Sequence, residues 1–106
     1  MEKEAKKSLV LFGAADHTQG DSAVIDHKNG YRFELYSNCM DPASEERELK
    51  IEVSSDGTNW YHLTNLLILG GVNQKIYEGK TAADNIRITC ATPFHCLTVL
   101  YCSLPY

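Results

Sequence analysis

The sequence predicts an all-β fold, an antiparallel β-sandwich of jelly-roll type with about eight strands. Runs that are apolar, or that alternate apolar and polar residues, recur about every 8–12 residues along the chain. Turn-forming pairs such as Asn29-Gly30 and Asp56-Gly57 separate these runs. No stretch repeats its apolar residues with the period of about 3.6 that is typical of a helix, so we interpret the runs as strands.

A single domain is predicted. The 106 residues and the hydrophobic content of 43% are sufficient for one core. Residues 1–7 are a charged lead-in in which lysine and glutamate alternate, and residues 8–106 form the β-sandwich domain.

Three strands are predicted before the middle of the chain, at residues 8–14, 22–26 and 31–36. The last of these alternates, with Tyr31, Phe33 and Leu35 on one face and Arg32, Glu34 and Tyr36 on the other. Residues 37–48 contain Asp41-Pro42 and an acidic run, which predicts an exposed loop with room for a helical turn after Pro42.

A β-hairpin is predicted over residues 50–63, with Leu49, Ile51 and Val53 on its inner face. Asp56-Gly57 between two alternating runs favours a two-residue turn. That turn would pair Val53 with Trp60 and direct Trp60 into the core, which is the register we expect. A longer loop would pair Val53 with Tyr61 and turn Trp60 outward, because a slip of one residue exchanges the faces.

The second half of the chain continues the strand pattern. Residues 65–71 are apolar and end in two glycines, and their periodicity fits either a buried strand or an apolar loop. Further strands are predicted at 74–78, at 85–90 with Ile86, Ile88 and Cys90 buried, and at 96–103 after Pro93.

The charge balance excludes some classes of partner. The net charge is −4 and the pI is about 5.5, so we expect no nucleic acid and no anionic membrane as partner. Acidic residues in the lead-in are unlike a secretory signal, which predicts synthesis in the cytoplasm without secretion.

No catalytic, cofactor-binding or metal-binding motif is present, so we expect neither enzymatic activity nor a cofactor. The four histidines lack the spacing of zinc motifs. The four cysteines also lack such spacing, and we interpret them as buried free thiols. These residues are His17, His27, His62 and His95, and Cys39, Cys90, Cys96 and Cys102.

Aromatic and apolar side chains are the candidates for a contact surface, because aromatic residues are enriched at interfaces. The sequence has six tyrosines and one tryptophan. The residues that we predict to make contacts are Tyr36, Trp60, Tyr61, Leu67, Tyr101 and Tyr106.

Residues 49–103 resemble known β-sandwich proteins. The segment Ser54-Ser-Asp-Gly-Thr-Asn-Trp60 is followed by Ile86-Arg-Ile88 and by a last strand, Leu97-Thr-Val-Leu-Tyr101. This order resembles small structural proteins of tailed-bacteriophage virions. The resemblance implies a non-catalytic capsid decoration, neck or tail-associated subunit that is assembled in the host cytoplasm, forms a homo-oligomer and contacts other virion proteins.

The same segment also looks like the discoidin-type jelly roll. That resemblance implies an alternative function, a carbohydrate- or surface-binding module with a glycan as partner. Trp60, Tyr61 or loop aromatics would then form the stacking platform.

Overall fold

The computed structural model describes residues 7–28, 31–42 and 44–104, and these residues form eight β-strands and no helix. The strands are β1 (Lys7–His17), β2 (Ser22–Asp26), β3 (Arg32–Asn38), β4 (Arg47–Ser54), β5 (Tyr61–Ile68), β6 (Gln74–Lys80), β7 (Asn85–Cys90) and β8 (Phe94–Leu104). The described residues therefore contain no helix of the length and apolarity needed to span a membrane.

The strands form two four-stranded antiparallel sheets. The front sheet has the order β1-β8-β3-β6 and the back sheet has the order β2-β7-β4-β5. Each of the first four strands pairs with its counterpart from the other half of the chain: β1 with β8, β2 with β7, β3 with β6 and β4 with β5. The chain is thus doubled into one long hairpin that is rolled up, which is the topology of a jelly roll. The predicted fold class is confirmed.

The core lies between the two sheets and follows the predicted alternation. Phe33 and Leu35 are buried on β3, and Ile86, Ile88 and Cys90 are buried on β7. Leu49 and Ile51 are buried on β4, whereas Val53 is only partly buried. Tyr31 precedes β3 and is 40% exposed, so it does not share the inward face of Phe33.

The register of the β4–β5 hairpin differs from the one we expected. Val53 pairs with Tyr61, so the two-residue turn at Asp56-Gly57 and the pairing of Val53 with Trp60 are wrong. Side chains stabilise a wider loop instead: the Asp56 carboxylate accepts hydrogen bonds from the amides of Thr58 and Asn59, both at 2.8 Å. A bulge at Leu63 then brings Ile51 opposite Thr64, a pairing that neither predicted register contains.

The structure also settles the bounds of the segments that the sequence pattern left ambiguous, the apolar run at 65–71 and the acidic loop. The apolar run at 65–71 continues β5 as far as Ile68 and then turns. Gly70 lies against the Asp41 backbone, where an added Cβ would be 1.6 Å from the Asp41 carbonyl oxygen. The acidic loop contains a turn, closed by the hydrogen bond that the Glu45 amide donates to the Pro42 carbonyl oxygen at 3.1 Å, and its described residues form no helix. Residues 1–6 of the lead-in lie outside the described residues, and Lys7 is the first residue of β1.

Candidate functional site

The described residues contain no group of three or more His, Cys, Asp and Glu side chains that could hold a metal ion. The histidines contact different partners and do not come together in one site. His17 Nδ1 lies 3.1 Å from an Asp21 oxygen, His62 Nε2 lies 2.9 Å from Asn65 Oδ1, and His95 Nδ1 lies 3.6 Å from an Asp16 oxygen. His62 and Asn65 belong to the same strand, and these three pairs share no residue, so they create no convergent site.

The prediction that the four cysteines are buried free thiols is confirmed in part. All four are free; Cys39 and Cys90 are buried, whereas Cys96 and Cys102 are half-buried. Burial raises the pKa of Cys90 to about 11, and burial also raises the pKa of Cys39. A thiol with a raised pKa stays protonated at neutral pH and is a poor nucleophile. The two buried cysteines therefore act as core residues.

Tyr101 is a core residue and not a contact residue, which corrects the prediction. It is 0% exposed, because β8 directs Leu97, Val99 and Tyr101 to the interior at every second position. Its hydroxyl lies 2.5 Å from His27 Nδ1, and burial raises its pKa. The sequence does not show this alternation clearly, because Leu100 and Cys102 on the outward positions are apolar too.

His27 is a structural residue that the sequence did not single out. It is 1% exposed and follows β2. With Nδ1 accepting from the Tyr101 hydroxyl, Nε2 carries the proton and faces the Thr81 carbonyl oxygen at 3.1 Å and the Tyr31 carbonyl oxygen at 3.3 Å. The ring thus joins β8 to the residue before β3 and to the residue after β6.

Trp60 lies on the outer side of the back sheet, so its expected place in the core is wrong and the outward direction given by the longer-loop alternative is confirmed. It is half-buried, and the Arg87 guanidinium carbon lies 4.3 Å from the centre of its ring. Arg87 also forms an ion pair with Glu52, at 2.8 Å from Nη2 to Oε1. This contact covers one face of the indole on the outer side of the back sheet. A stacking platform at Trp60 would have only the other face for a ligand.

Tyr61 and Leu67 are the most exposed of the predicted contact residues, at 67% and 65%. Both belong to β5, which is the edge strand of the back sheet. Leu69, just beyond the strand, is 53% exposed. No charged residue or proline interrupts β5, so the predicted contact residues Tyr61 and Leu67 lie on a long, uncharged edge.

Tyr36 lies on the outer face of the front sheet, away from β5. Its hydroxyl donates to Glu34 Oε1 at 2.5 Å, and this hydrogen bond raises the pKa of Tyr36. Lys75 on the neighbouring strand lies 3.7 Å from Glu34 and 3.0 Å from Glu78. The structure therefore does not combine Tyr36 with Trp60 or Tyr61 in one patch. Tyr106 lies outside the described residues.

Comparison with known proteins supports the fold and does not assign a family. No protein-family model and no curated protein sequence matches the chain. Among solved structures, the chain is similar to the phage-related PBSX exported protein XepA, with a TM-score of 0.61 and 15% identity over 92% of this chain. The chain spans only 36% of the length of XepA.

Two further structures share the fold over most of both chains. The subunit of Bacillus endospore appendages, described as a family of disulfide-linked pili, matches with a TM-score of 0.50 and 10% identity over 97% of this chain and 90% of that one. PirA matches with a TM-score of 0.50 and 9% identity over 95% of each chain. At these identities the similarities show a common jelly-roll fold.

Proposed function

We propose that this protein is a non-catalytic structural subunit of a bacteriophage particle, a capsid decoration, neck or tail-associated protein, that acts through protein–protein contacts. The observation that carries the proposal is the uncharged edge strand β5 with Tyr61 and Leu67 exposed on it. The fold that the chain shares with the phage-related XepA and with a pilus subunit supports this class of function.

An open sheet edge presents unpaired backbone N–H and C=O groups, and monomeric proteins commonly guard such edges with charges or prolines. The neighbouring edge strand β6 follows this rule, since it carries Lys75, Glu78 and Lys80. β5 has eight residues and none of these guards. A partner strand would satisfy its backbone groups and cover its apolar side chains.

A second copy of the chain offers a matching edge. β1 is the outer strand of the front sheet, and its exposed residues include Val10 at 59% and Leu9 at 39%. No charge occurs from Ser8 to Ala15. β5 contacts β6, the opposite edge of the front sheet, so β1 and β5 lie on opposite sides of the sandwich. Pairing of β1 with β5 of the next copy would build a homo-oligomer by head-to-tail contacts.

The test compares the wild-type chain with Leu67→Lys, which places a charge on the open edge. Met40→Lys is the control, because Met40 is 71% exposed and belongs to neither β5 nor β1. We expect wild type and control to form oligomers, as measured by light scattering after gel filtration. Both should also be incorporated into purified bacteriophage particles. Leu67→Lys should be monomeric and absent from the particles. A wild-type chain that is monomeric and missing from particles would refute the proposal.

A further inference from the structure

A groove of about 490 Å³ crosses the outer face of the front sheet, over β3, β6 and β8. This volume falls within the range of small-molecule sites, about 300–1,000 Å³. Arg32 and Glu34 of β3, Glu78 and Lys80 of β6, and Cys102 of β8 contribute to its lining. The groove lies away from the β5 edge and from Trp60, so it is separate from the contact surface described above.

One end of the groove holds two cations that face each other. Arg32 and Lys80 are directly opposite in the β3–β6 ladder, and both are exposed. Like charges in this arrangement repel and destabilise a sheet. Within the described ranges, no acidic group lies within 4.0 Å of either side chain, so neither cation has an ion-pair partner.

The next pair on the same face of the ladder shows how such repulsion is relieved inside the protein. Glu34 and Glu78 are also directly opposite each other, and Lys75 lies between their carboxylates at 3.7 Å and 3.0 Å. The two glutamates thus share Lys75 as a counter-charge at ion-pair distance. Arg32 interacts with Glu78 only through longer-range electrostatics, and neither Arg32 nor Lys80 forms an ion pair among the described residues. The groove therefore combines a cationic end with a neighbouring section that accepts hydrogen bonds.

We propose that this groove binds a small acidic sugar. The oxyanion of the ligand, a carboxylate or a sulfate, lies between Arg32 and Lys80 and supplies an ion-pair partner at contact distance. The ligand's hydroxyl groups donate to the free lone pairs of Glu34 and Glu78, which a ligand without donors would not satisfy. A nucleic acid is disfavoured because only one cation pair lines the groove and the chain has a net charge of −4.

The test is a titration of the ¹⁵N-labelled chain, followed by amide chemical shifts, with four probes: glucuronic acid, glucose 6-sulfate, glucose and inorganic sulfate. We expect saturable shifts in β3, β6 and β8 with one or both of the acidic sugars. Glucose and sulfate should each bind at least about tenfold more weakly, because each lacks one of the two kinds of contact. Binding should weaken as ionic strength rises.

The variants Arg32→Gln and Lys80→Gln should each weaken binding about tenfold or more. Both should fold normally, since each removes a like-charge repulsion. Lys50→Gln is the matched control, because Lys50 lies on β4 of the back sheet. Equal binding of inorganic sulfate would indicate an unspecific oxyanion site, and equal binding of glucose would indicate no role for the cations. Either of these two results would overturn the proposal. Shifts confined to Trp60 and Tyr61, or the absence of binding, would overturn it as well.

Discussion

Asp41 is the buried charge that organises one end of the sandwich. Its side chain is fully buried, and Oδ2 accepts a hydrogen bond from the His95 amide at 3.0 Å. Oδ1 lies 3.3 Å from Arg47 Nε without hydrogen-bond geometry, so this contact is electrostatic. Gly70 packs on the backbone of the same residue. Asp41 therefore links the β3–β4 loop to the start of β8 and to β4.

Replacing Asp41 with asparagine should destabilise the fold by about 1–3 kcal/mol, because Arg47 loses its buried ion-pair partner and keeps only the exposed Glu45. The free energy of unfolding in urea measures this effect. Glu46→Gln serves as the control, since Glu46 is exposed in the same loop and forms no ion pair within the described residues. Equal stability of Asp41→Asn and wild type would show that the Asp41–Arg47 contact contributes nothing.

Asp56 makes stability depend on pH. Hydrogen bonds from the amides of Asn59 and Thr58 lower the pKa of Asp56 well below its ordinary value near 3.8. A lowered pKa in the folded state adds stability above the unfolded pKa, and this stability is lost as pH falls toward the folded pKa. Wild type should therefore lose stability below about pH 4 more steeply than Asp56→Asn, which keeps the acceptor oxygen but not the charge. Parallel unfolding curves from pH 7 to about pH 2 would contradict this account.

At the scale of the elements, the contact between Trp60 and Arg87 attaches the β4–β5 loop to the outer face of β7. Arg87→Ala should expose the indole, because it removes the guanidinium from one face of the ring. Trp60 is the only tryptophan, so its fluorescence reports this site alone. We expect a red-shifted emission and stronger acrylamide quenching than in wild type, and no change in Lys50→Ala. Unchanged quenching in Arg87→Ala would show that the stacking does not protect Trp60.

The strands were predictable where the alternation of apolar and polar residues is local and regular. The β2 and β7 bounds match the predicted ranges, and β3 has its predicted inward face at Phe33 and Leu35. The hairpin register was not predictable from Asp56-Gly57, because the side chains of Asp56 and Ser54 accept hydrogen bonds from loop amides that select a wider loop. The turn propensity of Asp-Gly reflects the backbone preferences of these two residues, and it does not include these side-chain hydrogen bonds.

The candidate surfaces could be predicted from the sequence less well than the strands. Tyr61 and Leu67 were predicted to be contact residues, and their exposure depends on β5 being an edge strand, which the sequence does not state. The groove was missed entirely. Arg32 and Lys80 are 48 positions apart in the numbering, and only the β3–β6 register brings them together. Such pairs become visible only once the strand order is known.

The whole molecule is closed by the pairing of its first and last strands. β8 lies between β1 and β3, and it contributes the buried Leu97, Val99 and Tyr101. Such non-local pairing carries a large loss of chain entropy on folding. A covalent bond between β1 and β8 would remove much of that loss from the unfolded state. A cross-link between β1 and β8 should therefore raise the free energy of unfolding substantially.

Ser8→Cys tests this expectation directly. Ser8 and Cys102 are opposite each other in the β1–β8 ladder, with Ser8 Oγ 3.6 Å from Cys102 Sγ. Oxidation should join the introduced thiol to Cys102, and closing a loop of nearly 100 residues is worth up to about 4–5 kcal/mol when the bond is unstrained. We expect the oxidised variant to have a higher Tm than its reduced form and than Ser8→Ala, with peptide mapping verifying that the new disulfide joins position 8 to Cys102. Failure to cross-link would contradict the β1–β8 register, and cross-linking without a gain in Tm would show that closure of the roll does not limit its stability.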